Sequence, residues 1–216
     1  MLKQRVRNKN LKLSSRNWIN RQINDEFVIK ARQNGYRSRA SFKILEIQEK
    51  YKIFNNNSIV IDLGAAPGGW SQVISPICKK IIALDLLPMA SLPNVDFIQG
   101  DFLNNKCIEI IKNKLNGSKI DIILSDMAPN TCGIQKVDHL RIMSILEHVY
   151  EFAKIVLNNN GSLVAKVFQG GAFSELNNEL KKDFKQVFNF KPKSSRKQST
   201  ELYIVCKGFK KDIDKK

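Results

Sequence analysis

The chain has 216 residues, 43% of them apolar, which suffices for one large core or two small ones, and a single domain is the simpler expectation. Its formal charge of +16 comes from 36 lysines and arginines against 20 acids. That excess points to a polyanionic partner, since basic groups that neutralise phosphates release condensed counterions; a genome-wide bias towards Lys, Asn and Ile would give the same excess, and charge does not specify a fold.

The longest apolar runs, such as Ile120 to Leu124, fall far short of the ~18 residues expected of a membrane span, and no secretory signal opens the chain. Cys78, Cys107, Cys132 and Cys206 are scattered, with neither metal-ligand spacing nor a disulfide pattern. The expectation is a soluble chain with reduced thiols, a cytoplasmic location and no metal site. The stretch from Met1 to Asn24 is basic, carries Ser14 and Ser15, and has no acid before Asp25. It reads as a basic arm docked by Trp18 and Phe27, although an organellar transit peptide would have a similar composition.

After the arm, Ser38 to Tyr51 has helical spacing, with Ala40, Ile44, Ile47 and Tyr51 on one stripe and Lys43 at its edge. Short apolar runs then alternate with helical segments. Ser58 to Leu63, Lys80 to Asp85, Val95 to Gln99, Ile120 to Ser125 and Ser162 to Phe168 read as strands of a parallel sheet covered on both faces. Trp70 to Cys78, Leu103 to Leu115, Val137 to Leu157 and Ala172 to Lys182 read as the helices between them. Asn158 to Gly161 reads as a stop and a turn. Phe184 to Lys191 and Leu202 to Cys206 have no helix between them and are expected to pair as a closing antiparallel hairpin. The resulting division is a basic arm over 1–35, one α/β domain over 36–208 and a charged tail over 209–216.

The first strand-to-helix turn of an open parallel sheet is its usual ligand contact. Here that turn is Gly64-Ala65-Ala66-Pro67-Gly68-Gly69. It fails the G-x-G-x-x-G spacing and lacks a Gly-Lys-Ser/Thr, so it allows close backbone approach without the equipment for a pyrophosphate. Asp85 ends the second strand, where an acid can accept both ribose hydroxyls. Asp101 follows the third strand and can accept from an adenine amino group, while Asp62 lies beneath the loop. A nucleoside with a zwitterionic, phosphate-free tail fits this set, and S-adenosylmethionine is such a molecule. The alternative for each acid is a solvated cap or turn.

Lys166 interrupts an apolar strand near its end and needs solvent or a carboxylate, and Asp126, at the end of the preceding strand, is the expected partner. A snorkelling lysine beside a turn cap is the alternative. Glu201 opens the last strand, an ordinary place for an acid. Ser194, Ser195, Arg196 and Lys197 form either a phosphate-binding or a merely solvated loop. His139 and His148 read as surface residues. Trp70 either packs beside the loop or borders a nucleoside.

The segments Asp62 to Gln72, Ser125 to Asn130 and Val164 to Gly170 resemble the FtsJ/RrmJ family of ribose 2'-O-methyltransferases, above all its bacterial members acting on large-subunit ribosomal RNA. The resemblance runs from about Ser14 to Gly208. It implies a Rossmann-like, S-adenosylmethionine-dependent fold, with a mostly parallel seven-stranded sheet ending in an antiparallel hairpin and helices on both faces. It places a Lys-Asp-Lys-Glu tetrad on Lys43, Asp126, Lys166 and Glu201, with Lys166 as proton acceptor, and cofactor contacts on Gly68, Trp70, Asp85, Asp101 and Asp126. Ser41 and Leu45 depart from the family pattern, which expects an aromatic and an acid there.

The substrate implied is 23S rRNA, at a uridine of the A-loop within the assembled 50S subunit. No DNA or membrane partner is expected, and the chain is expected to be a monomer. The RNA surface would comprise the arm, with Lys3, Arg5, Arg7, Lys9, Lys12, Arg16 and Arg21, together with Arg37, Arg39 and Arg196. A tRNA ribose methyltransferase, a ribosome-assembly factor acting by binding, and a small-molecule methyltransferase are the alternatives.

Overall fold

The computed structural model describes residues 12–129, 133–168, 173–196 and 198–210. Lys3, Arg5, Arg7, Lys9, Asn130, Cys132, Gln169, Gly170, Lys197 and the end of the tail lie outside them.

Seven strands form one sheet: β1 Ile59–Leu63, β2 Lys80–Asp85, β3 Val95–Gln99, β4 Ile120–Ser125, β5 Leu157–Phe168, β6 Phe184–Phe190 and β7 Glu201–Phe209. Their spatial order is β3-β2-β1-β4-β5-β7-β6. The first five run parallel, and β7 is antiparallel to both β5 and β6. The chain moves outward from β1 to β3 and restarts on the other side at β4, so the switch point where such sheets bind ligands lies between β1 and β4. Because β7 runs backwards, its first residues lie at the carboxyl rim of the parallel strands, with Glu201 paired to Phe168 and Tyr203 to Lys166.

The near-continuous apolar strands follow from burial on both faces. One face packs Ile61, Leu63, Ile123, Leu163 and Ile204 beneath α5 (Asn105–Leu115), α6 (Gln135–Val156) and α7 (Phe173–Asp183). The other packs Val60, Ile122, Leu124, Val164 and Tyr203 beneath α3 (Ser41–Tyr51) and α4 (Gly69–Ile74). Strand periodicity of two puts Asp62, Lys166 and Glu201 on the α3 side along with Val60, Val164 and Tyr203. Lys43 stands four residues before Ile47 and eight before Tyr51, so it belongs to the buried stripe of α3 and meets that face at the rim.

Four expectations change. Asn158 to Gly161 does not separate helix from strand: β5 begins at Leu157, and its register with β4 jumps from Ile120–Leu157 to Ile122–Ser162. The four residues are absorbed as an irregularity, with Asn160 at φ 64°, which an asparagine tolerates better than most residues. Residues 13–33, read as an arm, fold into α1 (Leu13–Ile23) and α2 (Glu26–Gln33). Asp25 caps α2 by accepting from the Phe27 and Val28 amides at 3.1 and 3.3 Å. Phe27 docks against Phe42 at 5.4 Å, but Trp18 is 55% exposed, because α1 turns Ile19 and Ile23 inward instead. His139, expected at the surface, is half-buried with both ring nitrogens shielded, being three residues before the buried Ile142 on the packed stripe of α6. His148 is exposed as expected.

No helix is long and apolar enough to cross a membrane among the described residues. Cys78, Cys107 and Cys206 are buried and free.

Candidate active site

The loop after β1 needs its glycines where the chain crowds. Gly64 has φ 75°, and a Cβ there would stand 2.7 Å from Met127 Cγ and 3.0 Å from its amide, so the loop can lie against the segment after β4 only without a side chain. At Gly68, with φ 100°, a Cβ would stand 2.7 Å from Arg37 Nη1 and 2.9 Å from Met89 Sδ. Arg37 buckles the loop to the segment after β2, donating from Nη1 to the carbonyls of Pro67 (3.2 Å) and Ala90 (2.8 Å) and from Nη2 to that of Ser91 (2.8 Å).

Beside the loop, at the carboxyl ends of β1 to β4, opens a cavity of about 600 Å³. Gly64, Ala66, Asp85, Asp101 and Asp126 line it. Asp85 also fixes the backbone around the mouth, accepting from the Ala66 amide through Oδ2 at 2.9 Å and from the Leu87 amide through Oδ1 at 2.8 Å. Asp101 accepts from the Leu103 amide at 2.9 Å. The ligand and turn readings of these acids are therefore compatible. Gly68 and Trp70 do not line the cavity. Trp70 is 3% exposed, donates from Nε1 to the Ala40 carbonyl at 2.9 Å and packs 5.6 Å from the Tyr203 ring.

The four tetrad positions converge. Lys166 Nζ meets Asp126 twice, at Oδ1 and at the carbonyl oxygen, each at 2.7 Å. Lys43 Nζ meets Glu201 Oε1 at 2.9 Å. Joining the two pairs is Tyr203, which the strand pattern presents as a core residue: its hydroxyl accepts from Lys43 at 2.9 Å and donates to Asp126 Oδ1 at 2.5 Å. A tyrosine in an apolar strand reads as core, and its ring is indeed core. The available signal was its position two residues after Glu201, hence on the same face of β7.

Burial alone would raise the Asp126 and Glu201 carboxyls. For Asp126, Lys166 and then Lys43 overcome that effect by charge, aided by the hydrogen bonds from Lys166 and Tyr203, and hold the group below its usual range. For Glu201 the charge and hydrogen bond of Lys43 do the same, with smaller help from Lys166 and Ser195. Tyr203 is pushed well above its ordinary value by burial and by the charges of Asp126 and Glu201, so it remains a neutral donor. The cluster therefore combines two lysines, two carboxylates and a fixed phenol at the cavity edge.

Asp62 is fully buried beneath the loop, where its Oδ2 accepts from Ser71 Oγ at 2.6 Å. Burial raises its pKa to about 7, the Ser71 hydrogen bond opposing and the Asp126 charge adding to the rise. Between the ordinary carboxyl range and about 7 the folded chain holds a proton that the unfolded chain has lost, so this group makes stability fall as pH rises through that window and level off above it. Asp62→Asn should flatten that slope in urea melts between pH 4 and 8; an unchanged slope would show that Asp62 is ionised throughout. Asp126 and Glu201 act in the opposite sense, losing their stabilisation only as pH falls through their depressed folded values.

The segment Ser194 to Arg196 is neither open nor simply solvated. Ser194 and Ser195 are buried, and Glu46 of α3 accepts from the amides of Lys193 (2.6 Å) and Ser194 (2.8 Å). Arg39 binds Asp25 and the Ser194 carbonyl, and Arg196 Nε lies 3.3 Å from Asp25. These arginines thus tie α2, α3 and the β6–β7 connection together, a structural duty that the sequence did not reveal. Ser41, where the family pattern expects an aromatic, is buried with its hydroxyl on the Gly69 carbonyl at 2.9 Å, while Leu45 is half-buried.

A mixed seven-stranded sheet with its small-residue loop at the switch point and its reversed strand delivering Glu201 and Tyr203 to the rim has the Rossmann-like fold of methyltransferases. The comparisons agree. The model of the FtsJ-like methyltransferase family matches residues 36–209. Proteins named ribosomal RNA large subunit methyltransferase E from Rickettsia bellii and Rickettsia felis are 51% and 48% identical over 202 residues, covering 90% of this chain and 88% of each relative. A crystal structure of a Plasmodium falciparum protein described as a ribosomal RNA methyltransferase superposes with a TM-score of 0.73 at 36% identity, over 81% of this chain and 98% of that one. A Streptococcus mutans protein described as a methyltransferase and solved in complex with SAH shares the fold alone, with a TM-score of 0.51 at 19% identity over 79% of this chain and 96% of that one. The chain belongs to the FtsJ-like methyltransferase family.

Proposed function

We propose that the chain transfers a methyl group from S-adenosylmethionine to a ribose 2'-hydroxyl of large-subunit rRNA, at a uridine of the A-loop in the assembled 50S subunit. The observation that carries this reading is the double duty of Asp126, which lines the cavity and also holds Lys166. Ligand and nucleophile would thereby meet at one carboxylate. The names of the Rickettsia relatives supply the rRNA class.

The cavity suits the cofactor in its volume of about 600 Å³ and in its three acids, which would face hydroxyl and amino donors and a cationic centre. Asp85 would accept from the ribose hydroxyls and Asp101 from the adenine amino group, with Asp126 near the charged end. The glycines of the loop would admit the tail, and Gly68 and Trp70 would act through the loop backbone that they shape. When bound, S-adenosylmethionine supplies a sulfonium-activated methyl group and leaves as neutral S-adenosylhomocysteine.

The chain's own task is to present a hydroxyl in line and remove its proton. Lys166, its Nζ fixed by Asp126 at two points, would be the group that takes up this proton. Lys43 orients the hydroxyl or its neighbouring phosphate, while Glu201 and Tyr203 hold Lys43 in place. The basic residues over 1–35, the domain over 36–208 and the tail over 209–216 would divide the work into RNA capture, chemistry and a charged end, in a cytoplasmic monomer.

Transfer of labelled methyl to undermethylated 50S particles and, separately, to bulk tRNA tests the reading. Label in one large-subunit rRNA ribose is the expected result. Label only in tRNA would assign the other RNA class, and label in neither despite cofactor binding would leave a binding role in ribosome assembly.

A further inference from the structure

Helix α1 has no fully buried residue, yet it is placed at the catalytic cluster. Its packed side is Ile19 and Ile23, both half-buried, while Trp18 is 55% exposed. Trp18 thus presents a large flat ring to solvent, and tryptophan is a side chain enriched where a partner binds.

Its neighbours indicate what that partner is. Arg21 and Gln22 line a cleft of about 490 Å³ that they share with Arg196, Lys43 and Glu201. At 3.6 residues per turn, positions three and four after Trp18 fall on either side of it, so Trp18 lies one turn along α1 on the same outward face as the two cleft-lining residues. The face thus combines an exposed aromatic plane and Arg21 with a cleft leading to the lysine that meets Glu201. The complementary ligand has an anionic backbone and a flat base, which is the chemistry of single-stranded nucleic acid. In a chain of net charge +16, a single nucleic-acid strand matches both features at once, because every nucleotide sets a flat base beside an anionic phosphate.

We propose that α1 is a nucleotide-reading element: Trp18 stacks on an unpaired base flanking the target nucleotide, and Arg21 holds the phosphate between the two at the cleft. The inference rests on the RNA methyltransferase reading above and adds how the target strand is held open. Stacking on Trp18 keeps the neighbouring base out of a duplex, so that the target ribose can descend to Lys43 and Lys166.

The test is steady-state methyl transfer to undermethylated 50S particles by wild type, Trp18→Ala, Trp18→Phe and Arg21→Ala, with cofactor affinity and melting temperature measured on each. Trp18→Ala should raise KM for the particle roughly 5- to 150-fold, the range for losing one base–aromatic stack, with kcat, cofactor affinity and melting unchanged. Trp18→Phe should recover most of the loss, and Arg21→Ala should raise KM and reduce its salt dependence. Unchanged KM in Trp18→Ala beside active wild type would overturn the inference alone. So would a fall confined to kcat, or a failure of phenylalanine to rescue. Wild type that binds cofactor and labels no RNA would overturn the methyltransferase reading, and this inference with it.

Discussion

Lys166→Ala is expected to lower methyl transfer by roughly 10² to 10⁴-fold, the usual worth of a positioned proton acceptor, while cofactor affinity stays within a few-fold of wild type. The separation of effects follows from geometry. Lys166 spends its contacts on Asp126, at 2.7 Å to Oδ1 and to the carbonyl, and is absent from the cavity lining that Asp126, Asp85 and Asp101 share. Single-turnover transfer with calorimetric cofactor binding measures both quantities. Near wild-type turnover in the variant would remove Lys166 from the chemistry, whereas a collapse of cofactor affinity would make it a prop for the cavity.

The second large effect concerns stability. Lys43 and Glu201 are 9% and 16% exposed at their side chains and 2.9 Å apart, so Lys43→Ala would leave a largely buried carboxylate without its main cation. Breaking such a pair from one side costs about 3 to 5 kcal/mol, or roughly 6 to 20 °C in melting temperature for a chain of this size. Lys43→Met combined with Glu201→Leu removes both charges together and should melt close to wild type, yet it should remain inactive because nothing orients the hydroxyl. If the double variant melted as low as Lys43→Ala, the pair would not be the source of the loss. If it kept activity, Lys43 and Glu201 would have no part in catalysis.

Much of this architecture is legible in the sequence because burial on both faces writes parallel strands as unbroken apolar runs. β2, β3 and β4 begin and end where those runs do. The closing hairpin follows from the missing helix between two runs, and its reversed direction explains why an acid as ordinary in sequence as Glu201 reaches the rim. Asp126 and Lys166 were legible as a pair because each interrupts or ends an apolar strand at the same rim.

Other features were hidden for equally physical reasons. Asn158 to Gly161 has turn composition, but sheet pairing on both sides of it absorbs the irregularity into β5. α1 and α2 lack a long apolar stripe, and α2 is fixed by the Asp25 cap and by ion pairs to Arg39 and Arg196, of which Arg196 is distant in sequence. Tyr203 is apolar in its ring and polar only at its tip, so the strand pattern conceals the hydroxyl that links the two lysine–carboxylate pairs.

The most direct test of the central claim is the chemical identity of the methylated product. RNA labelled by wild type and by Lys166→Ala would be digested to nucleosides and separated. Label in a single 2'-O-methylnucleoside, strongly reduced in the variant, is the predicted result. Label on a base, or in a 2'-O-methylnucleoside at equal rates with and without Lys166, would contradict the account.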